Sequence, residues 1–215
     1  AAFGLVGLAL VTGFDPVGNR PHILRLVVSG VVVSDEAILN GLDAAADDPA
    51  VSAVLVVIDT PGGTTTGGES IYRKLRRIGE NGVPMVAVIR NVGASAGYMI
   101  ALGTDRIYAL ETSITGSIGV LLETAEVSGL LERLGVTAET FRSGPLKGQP
   151  TPFAPLNDQA RAATQSLVDD IYNWFLTVFA ERRGLPLDVA RVLADGRAYT
   201  GRQALALDLI DAIGD

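Results

Sequence analysis

Apolar and polar positions along this chain fall into two alternating rhythms. Short, nearly unbroken apolar runs rich in β-branched residues recur at HILRLVVSGVVV (22–33), AVLVVID (53–59) and PMVAVI (84–89). Runs of that length predict strands, and their want of polar alternation predicts a parallel sheet buried on both faces. The first is read as one strand or as two joined at Gly30. Between them, residues 35–47 read as a helix that Asp47, Asp48 and Pro49 end. Ile71, Leu75 and Ile78 then recur at helical spacing in a segment stopped by Gly82.

The same rhythm continues towards the carboxyl end. A helix is expected over 95–102, a strand at RIYAL (106–110), a glycine-punctuated loop or strand at TGSIGV (115–120) and a helix over 125–134. AETFRSG (138–144) reads as a strand. A long helix fits 157–183, where Leu167, Ile171, Trp174, Phe175 and Val178 keep a 3.6-type period, and two shorter helices fall near 186–194 and 200–206. Strands alternating with helices predict an α/β fold with a mainly parallel sheet and flanking helices. In such sheets ligands sit outside the carboxyl ends of the strands. Pro61-Gly62-Gly63 and Gly93–Gly97 each follow a strand directly, so both loops are expected on the same edge.

The first fourteen residues, AAFGLVGLALVTGF, carry no charge. As a helix they would rise about 21 Å, short of the roughly 30 Å of a hydrocarbon core. They are read as the end of a membrane anchor or signal sequence, the other reading being a buried N-terminal strand or helix. DPVGNRP (15–21) reads as a linker into a folded domain spanning 22–215. With 215 residues, 48% of them hydrophobic, the chain can bury a sizeable core. A net charge of −7 argues against nucleic acid as a partner. There is no cysteine and one histidine, which excludes disulfides, thiolate metal sites and a multi-histidine centre. No metal and no cofactor is expected.

The candidate chemistry centres on NVGASAGYMIALG (91–103), where Ser95 stands among Gly93, Ala94, Ala96 and Gly97. One reading is a tight strand-to-helix turn in which serine is merely small. The other is a nucleophile that a carbonyl must be able to approach. A nucleophilic serine needs a base. His22 opens the first strand, at the wrong end of a parallel sheet, and Asp59 suits a role capping the Pro-Gly-Gly turn. Of fifteen arginines and two lysines, only the lysines can lose a proton. Lys74 lies in YRKLRR on a helix face expected to meet solvent. Lys147 stands in SGPLKGQPTPF with no other charge between Arg142 and Asp158, surroundings that suit an enclosed, apolar site. A solvated lysine is neutral only about once in a few thousand near pH 7, so a base role needs surroundings that disfavour the ammonium by roughly 4 kcal/mol. Backbone N–H groups at the Pro61-Gly62-Gly63 loop and at Ala96 could serve a developing oxyanion. Ser117, in TGSIG, could accept from a lysine amine and so aim it.

Five ordered blocks carry a resemblance: VVIDTPGG (56–63), VGASAGYMIA (92–101), DRIYALETSITGSIGV (105–120), SGPLKGQPTPF (143–153) and DGRAYTGRQALALDLID (195–211). Together they resemble bacterial signal peptide peptidase A, a family of membrane-anchored serine peptidases with a Ser–Lys dyad on the Clp protease/crotonase-like fold. The resemblance implies Ser95 as nucleophile, Lys147 as general base, Gly62 as oxyanion donor and Ser117 as the lysine-positioning serine. It implies a peptidase domain over 22–215, peptide substrates (remnant signal peptides and other unfolded segments), a homo-oligomer in the form of a ring or dome, and a bacterial inner-membrane location with the catalytic domain periplasmic. Three departures stand out: Ala96 and Asp208 occupy positions where relatives commonly carry glycine, and relatives often continue with a further helical tail. Two other readings use the same fold, a crotonase-like acyl-CoA enzyme and a non-catalytic membrane scaffold. The first would need a carboxylate base in the cleft and an acyl-CoA pocket.

Overall fold

The computed structural model describes residues 20–215. The anchor expected over 1–14, and the linker as far as residue 19, lie outside the described residues. The elements run β1 (His22–Val32), α1 (Glu36–Asp47), β2 (Val51–Gly63), α2 (Thr65–Glu80), β3 (Met85–Ala94), α3 (Ala96–Ala101), β4 (Arg106–Ala109), β5 (Ile114–Gly116), α4 (Ser128–Arg133), α5 (Asp158–Arg183), α6 (Leu187–Leu193), β6 (Ala198–Thr200), α7 (Gly201–Ala206) and β7 (Ala212–Ile213). The fold is α/β, with a mainly parallel sheet flanked by helices. It divides into one unit of residues up to 119 together with 175–215, and a second unit of 120–174.

In the first unit the sheet order is β1-β2-β3-β4-β7, all parallel, with β5 parallel to β3 and β6 antiparallel to β5. Register places Val28, Ile58, Ile89 and Ala109 in one row across four strands, and Leu26, Val56, Ala87 and Ile107 in the next. Every side chain in these rows is buried. Helices α2 and α3 pack on the sheet and α1 packs on α2, closing a core with Ile38, Leu42, Ile71, Leu75 and Ile78. Side-chain caps start α1, α2 and α7. The Asp35 carboxylate accepts the Ala37 N–H at 2.8 Å, Thr64 Oγ1 accepts the Gly67 N–H at 3.1 Å, and Thr200 with Gln203 forms a reciprocal capping box.

The structure corrects the expectation of a sheet covered on both faces. Along β1 and β3 burial alternates although the sequence does not: Ile23 is 63% exposed, and Val86, Val88 and Tyr108 are only half-buried. These side chains line a shallow apolar hollow of about 540 Å³ with Leu55 and Val57. An apolar run records that a face needs cover, and within the first unit that cover is partial. β1 is one strand, bulged where Gly30 takes a positive φ between Ser29 and Val31. β2 continues through Pro61-Gly62-Gly63, which were expected as a turn, because Val31 and Val32 pair with Gly62 and Gly63. Strands β6 and β7, of three and two residues, are too short to leave a periodic signal.

The second unit holds α4, the first part of α5, and chain without strands. The strand expected at 138–144 does not form. No neighbouring strand pairs with that segment, and Phe141 within it is 93% exposed. Across 120–174 only Ala160 is buried, while Leu121, Leu134 and Leu167 are each more than half exposed. The apolar stripe of α5 is fully buried only from Phe175 onward, where the helix belongs to the first unit.

Candidate active site

The carboxyl edge of the sheet is where β2, β3 and β5 end together. Thr60 pairs with Gly93, and Gly93 and Ala94 pair with Thr115 and Gly116. Ser95 stands between β3 and α3, half-buried, with φ +52° and ψ −118°. A non-glycine residue in that region costs on the order of 1–3 kcal/mol and persists only where its surroundings enforce it. They do so here. The Ser95 N–H donates to the Gly116 carbonyl at 2.9 Å, while the Ser95 carbonyl accepts the Met99 N–H at 2.9 Å. The backbone is held on both sides.

The small residues around Ser95 are required by packing. A Cβ on Gly93 would stand 2.8 Å from Ile89, and one on Gly97 would stand 2.6 Å from the Thr60 methyl. Ala96 is buried, and a Cβ on Gly68 of α2 would come within 3.0 Å of the Ala96 methyl, so that methyl lies in the α2–α3 contact. As the first residue of α3, Ala96 has no intrahelical acceptor for its N–H.

Gly62 lies against Ser95. Its φ is +117°, and a Cβ built on it would meet Ser95 Cβ at 2.8 Å and Ser95 Oγ at 3.3 Å. Its N–H donates to Thr60 Oγ1 at 3.1 Å. Ser117 follows the carbonyl that holds Ser95, also with a positive φ, +49°, and its N–H donates to the Arg197 carbonyl at 2.8 Å. Ser95, Gly62, Ala96 and Ser117 are therefore gathered at one edge of one unit.

Lys147 belongs to the second unit. It sits in a turn where its N–H donates to the Gly144 carbonyl at 3.1 Å, and it is exposed there. That corrects the enclosed setting expected from its uncharged, glycine- and proline-rich neighbours, which mark a turn without burying it. Lys74 also departs from expectation. Its Nζ is 2.6 Å from both Asp43 oxygens, and this hydrogen bond, against a smaller opposing effect of desolvation, holds the Asp43 carboxyl below its ordinary range. Asp59 accepts from Asn91 Nδ2 at 2.7 Å and the Val92 N–H at 3.2 Å, so it clamps β2 to β3 instead of capping the Pro-Gly-Gly turn. His22 is exposed at the start of β1, with Nε2 4.0 Å from Asp48. No group of metal-ligating side chains occurs among the described residues. Sequence reasoning passed over Thr60, because a threonine in a strand reads as an ordinary β-former.

Known proteins resemble the chain over most of its length. Residues 77–215 match peptidase family S49. The chain is 38% identical over 198 residues to a Synechocystis sp. protein that bears a provisional protease name, covering 91% of this chain and 71% of that one. It is 34% identical over 209 residues to an Enterococcus faecium protein that bears a provisional signal peptide peptidase name, covering 91% of this chain and 61% of the relative. It is 29% identical over 206 residues to Protease 4 of Haemophilus influenzae, again over 91% of this chain but only 33% of the relative.

Proposed function

The chain belongs to peptidase family S49 and is by that membership a serine peptidase, and we propose that it is an endopeptidase acting through Ser95 and Lys147. The observation that carries the reading is Ser95 itself: a half-buried hydroxyl on a strained residue, in contact with Gly62, at the edge where three strands end. In this mechanism neutral Lys147 takes the Ser95 proton as Oγ attacks the scissile carbonyl. The N–H groups of Gly62 and Ala96 stabilise the oxyanion. Lys147 then protonates the leaving amine, and water, deprotonated in turn by Lys147, hydrolyses the acyl-enzyme. Ser117 aims the lysine amine.

An exposed lysine must be covered before it can act as a base. Bound peptide and further copies of the chain supply that cover in this reading. The homo-oligomer is supported by the apolar side chains that both units leave in water. Remnant signal peptides and other unfolded segments are the proposed substrates, in keeping with the name of the Enterococcus faecium relative. No helix among the described residues is long and apolar enough to cross a membrane. For the proposed attachment to the bacterial inner membrane the uncharged residues 1–14 are the candidate, with the catalytic domain on the periplasmic side.

The test is covalent labelling. A fluorophosphonate should modify the protein once, at Ser95, and Ser95→Ala should abolish both labelling and peptide hydrolysis while the circular dichroism spectrum is unchanged. Hydrolysis that survives Ser95→Ala would end the proposal.

A further inference from the structure

Thr60 is one of few polar side chains fully buried in the first unit, and it bonds to Gly62, which lies against Ser95. Its hydroxyl accepts the Gly62 N–H, beside Ser95, at 3.1 Å, and donates away from the serine to the Gly30 carbonyl at the bulge of β1. Its methyl occupies the space over Gly97, in the first turn of α3, so closely that a Cβ there would stand 2.6 Å away. One side chain thus touches both backbone pieces that flank the serine, the Gly62 loop and the start of α3. A buried hydroxyl left without partners costs about 1–3 kcal/mol, so its presence at this place needs a return.

We propose that Thr60 is a positioning residue that sets where the Gly62 N–H stands relative to Ser95 Oγ. The proposal rests on the serine-peptidase reading of that site. Between turnovers the hydroxyl satisfies an N–H that the oxyanion will claim, so the donor is held in place without solvent. The anchor at Gly30 keeps the hydroxyl from following the substrate. The methyl fixes the distance between the loop and α3. Thr60 itself does not meet the substrate.

Thr60→Val keeps the shape and removes the hydroxyl; Thr60→Ser keeps the hydroxyl and removes the methyl. We expect Thr60→Val to lower kcat by about tenfold or more with KM little changed, since the placement of the Gly62 N–H, which the hydroxyl sets between turnovers, matters only once the oxyanion forms. Inhibition by a peptide aldehyde, whose adduct with Ser95 carries the same oxygen, should weaken by the same factor. Binding of the corresponding peptide to Ser95→Ala protein should be unaffected by adding Thr60→Val. Thr60→Ser should restore kcat to within about threefold of the parent. A purely structural role would lower the melting temperature of Thr60→Val and leave the ratio of aldehyde to substrate affinity unmoved, and that result overturns the proposal. Unchanged kcat in Thr60→Val overturns it as well. Should Thr60→Val not fold, Thr60→Ala, which cannot overpack, takes its place with the same expected outcomes. Failure of the serine-peptidase reading shows separately, as hydrolysis persisting in Ser95→Ala with Thr60 intact.

Discussion

Gly62 leaves room for Ser95 and for nothing else: a Cβ on the glycine would stand 2.8 Å from the serine Cβ and 3.3 Å from its Oγ. At φ +117° the backbone there also disfavours any side chain. Gly62→Ala is therefore expected to reduce kcat/KM by about a hundredfold or more through displacement of the proposed oxyanion donor. The cost in stability should be only about 1–3 kcal/mol. Steady-state kinetics beside a thermal melt checks both parts.

The base assignment makes a distinct prediction at Lys147. Arginine keeps the charge and the reach but does not give up its proton in proteins. Lys147→Arg and Lys147→Ala should therefore lose peptide hydrolysis alike, by about 10²–10⁴-fold. Equal activity of Lys147→Arg and the parent would remove Lys147 from the mechanism.

Asp211 ties the last strand to the rest of the first unit. Burial pushes its carboxyl up, but the Ile107 N–H at 2.7 Å, the Arg183 guanidinium at 3.1 Å and Arg106 outweigh that and hold it below its ordinary range. A lowered folded-state pKa gives stability that is present above the unfolded value, about 3.9, and is lost as pH falls through the folded one. Asp211→Asn should destabilise by about 1–3 kcal/mol at neutral pH. Denaturant titrations should show that difference shrinking below about pH 4.

Asp208 occupies the left-handed position after α7, with φ +59°. The Leu209 N–H donates to the Ala204 carbonyl and the Asp208 N–H to that of Leu205, the paired bonds of a Schellman ending. Glycine is the usual residue at such a position, which gives a physical reason for the departure noted in the sequence. Asp208→Gly should raise stability by about 0.5–1 kcal/mol without changing activity. Chemical denaturation measures it.

The exposed apolar side chains of residues 120–174 give a test of the proposed assembly. Replacing Phe141 and Leu134 with serine should leave the melting of the first unit unchanged and shift sedimentation towards smaller species. Unaltered sedimentation in the double variant would separate this segment from the proposed oligomer.

Much of the fold could be read from local signals. The apolar periods of α1 and α2 were legible, although their caps at Asp35 and Thr64 were not singled out, and the β-branched runs became strands in parallel register. The edge that gathers Gly62 and Ser95 was legible as well, because two glycine-rich loops each followed a buried strand. What failed was burial. Val86 and Val88 are as apolar as Ala87 and Ile89, yet only the latter pair is buried, since composition does not say which face receives a helix. The enclosure expected around Lys147 is missing from this chain for the same reason: glycine and proline define its turn without burying it. Thr60 left no signal because its function lies in partners thirty residues upstream and two downstream, which only the folded chain assembles.

The pairing of β5 with β6 has a consequence for how this chain can vary. Those strands bring residue 116 beside residue 198, so the backbone leaves the sheet and returns to it at a closed doorway. Loop-closure entropy rises only logarithmically, and doubling such an excursion costs about 0.6 kcal/mol. Insertions or deletions within 120–174 are thus nearly free for the strands that bear Ser95, so long as they spare the turn that carries Lys147, the proposed base.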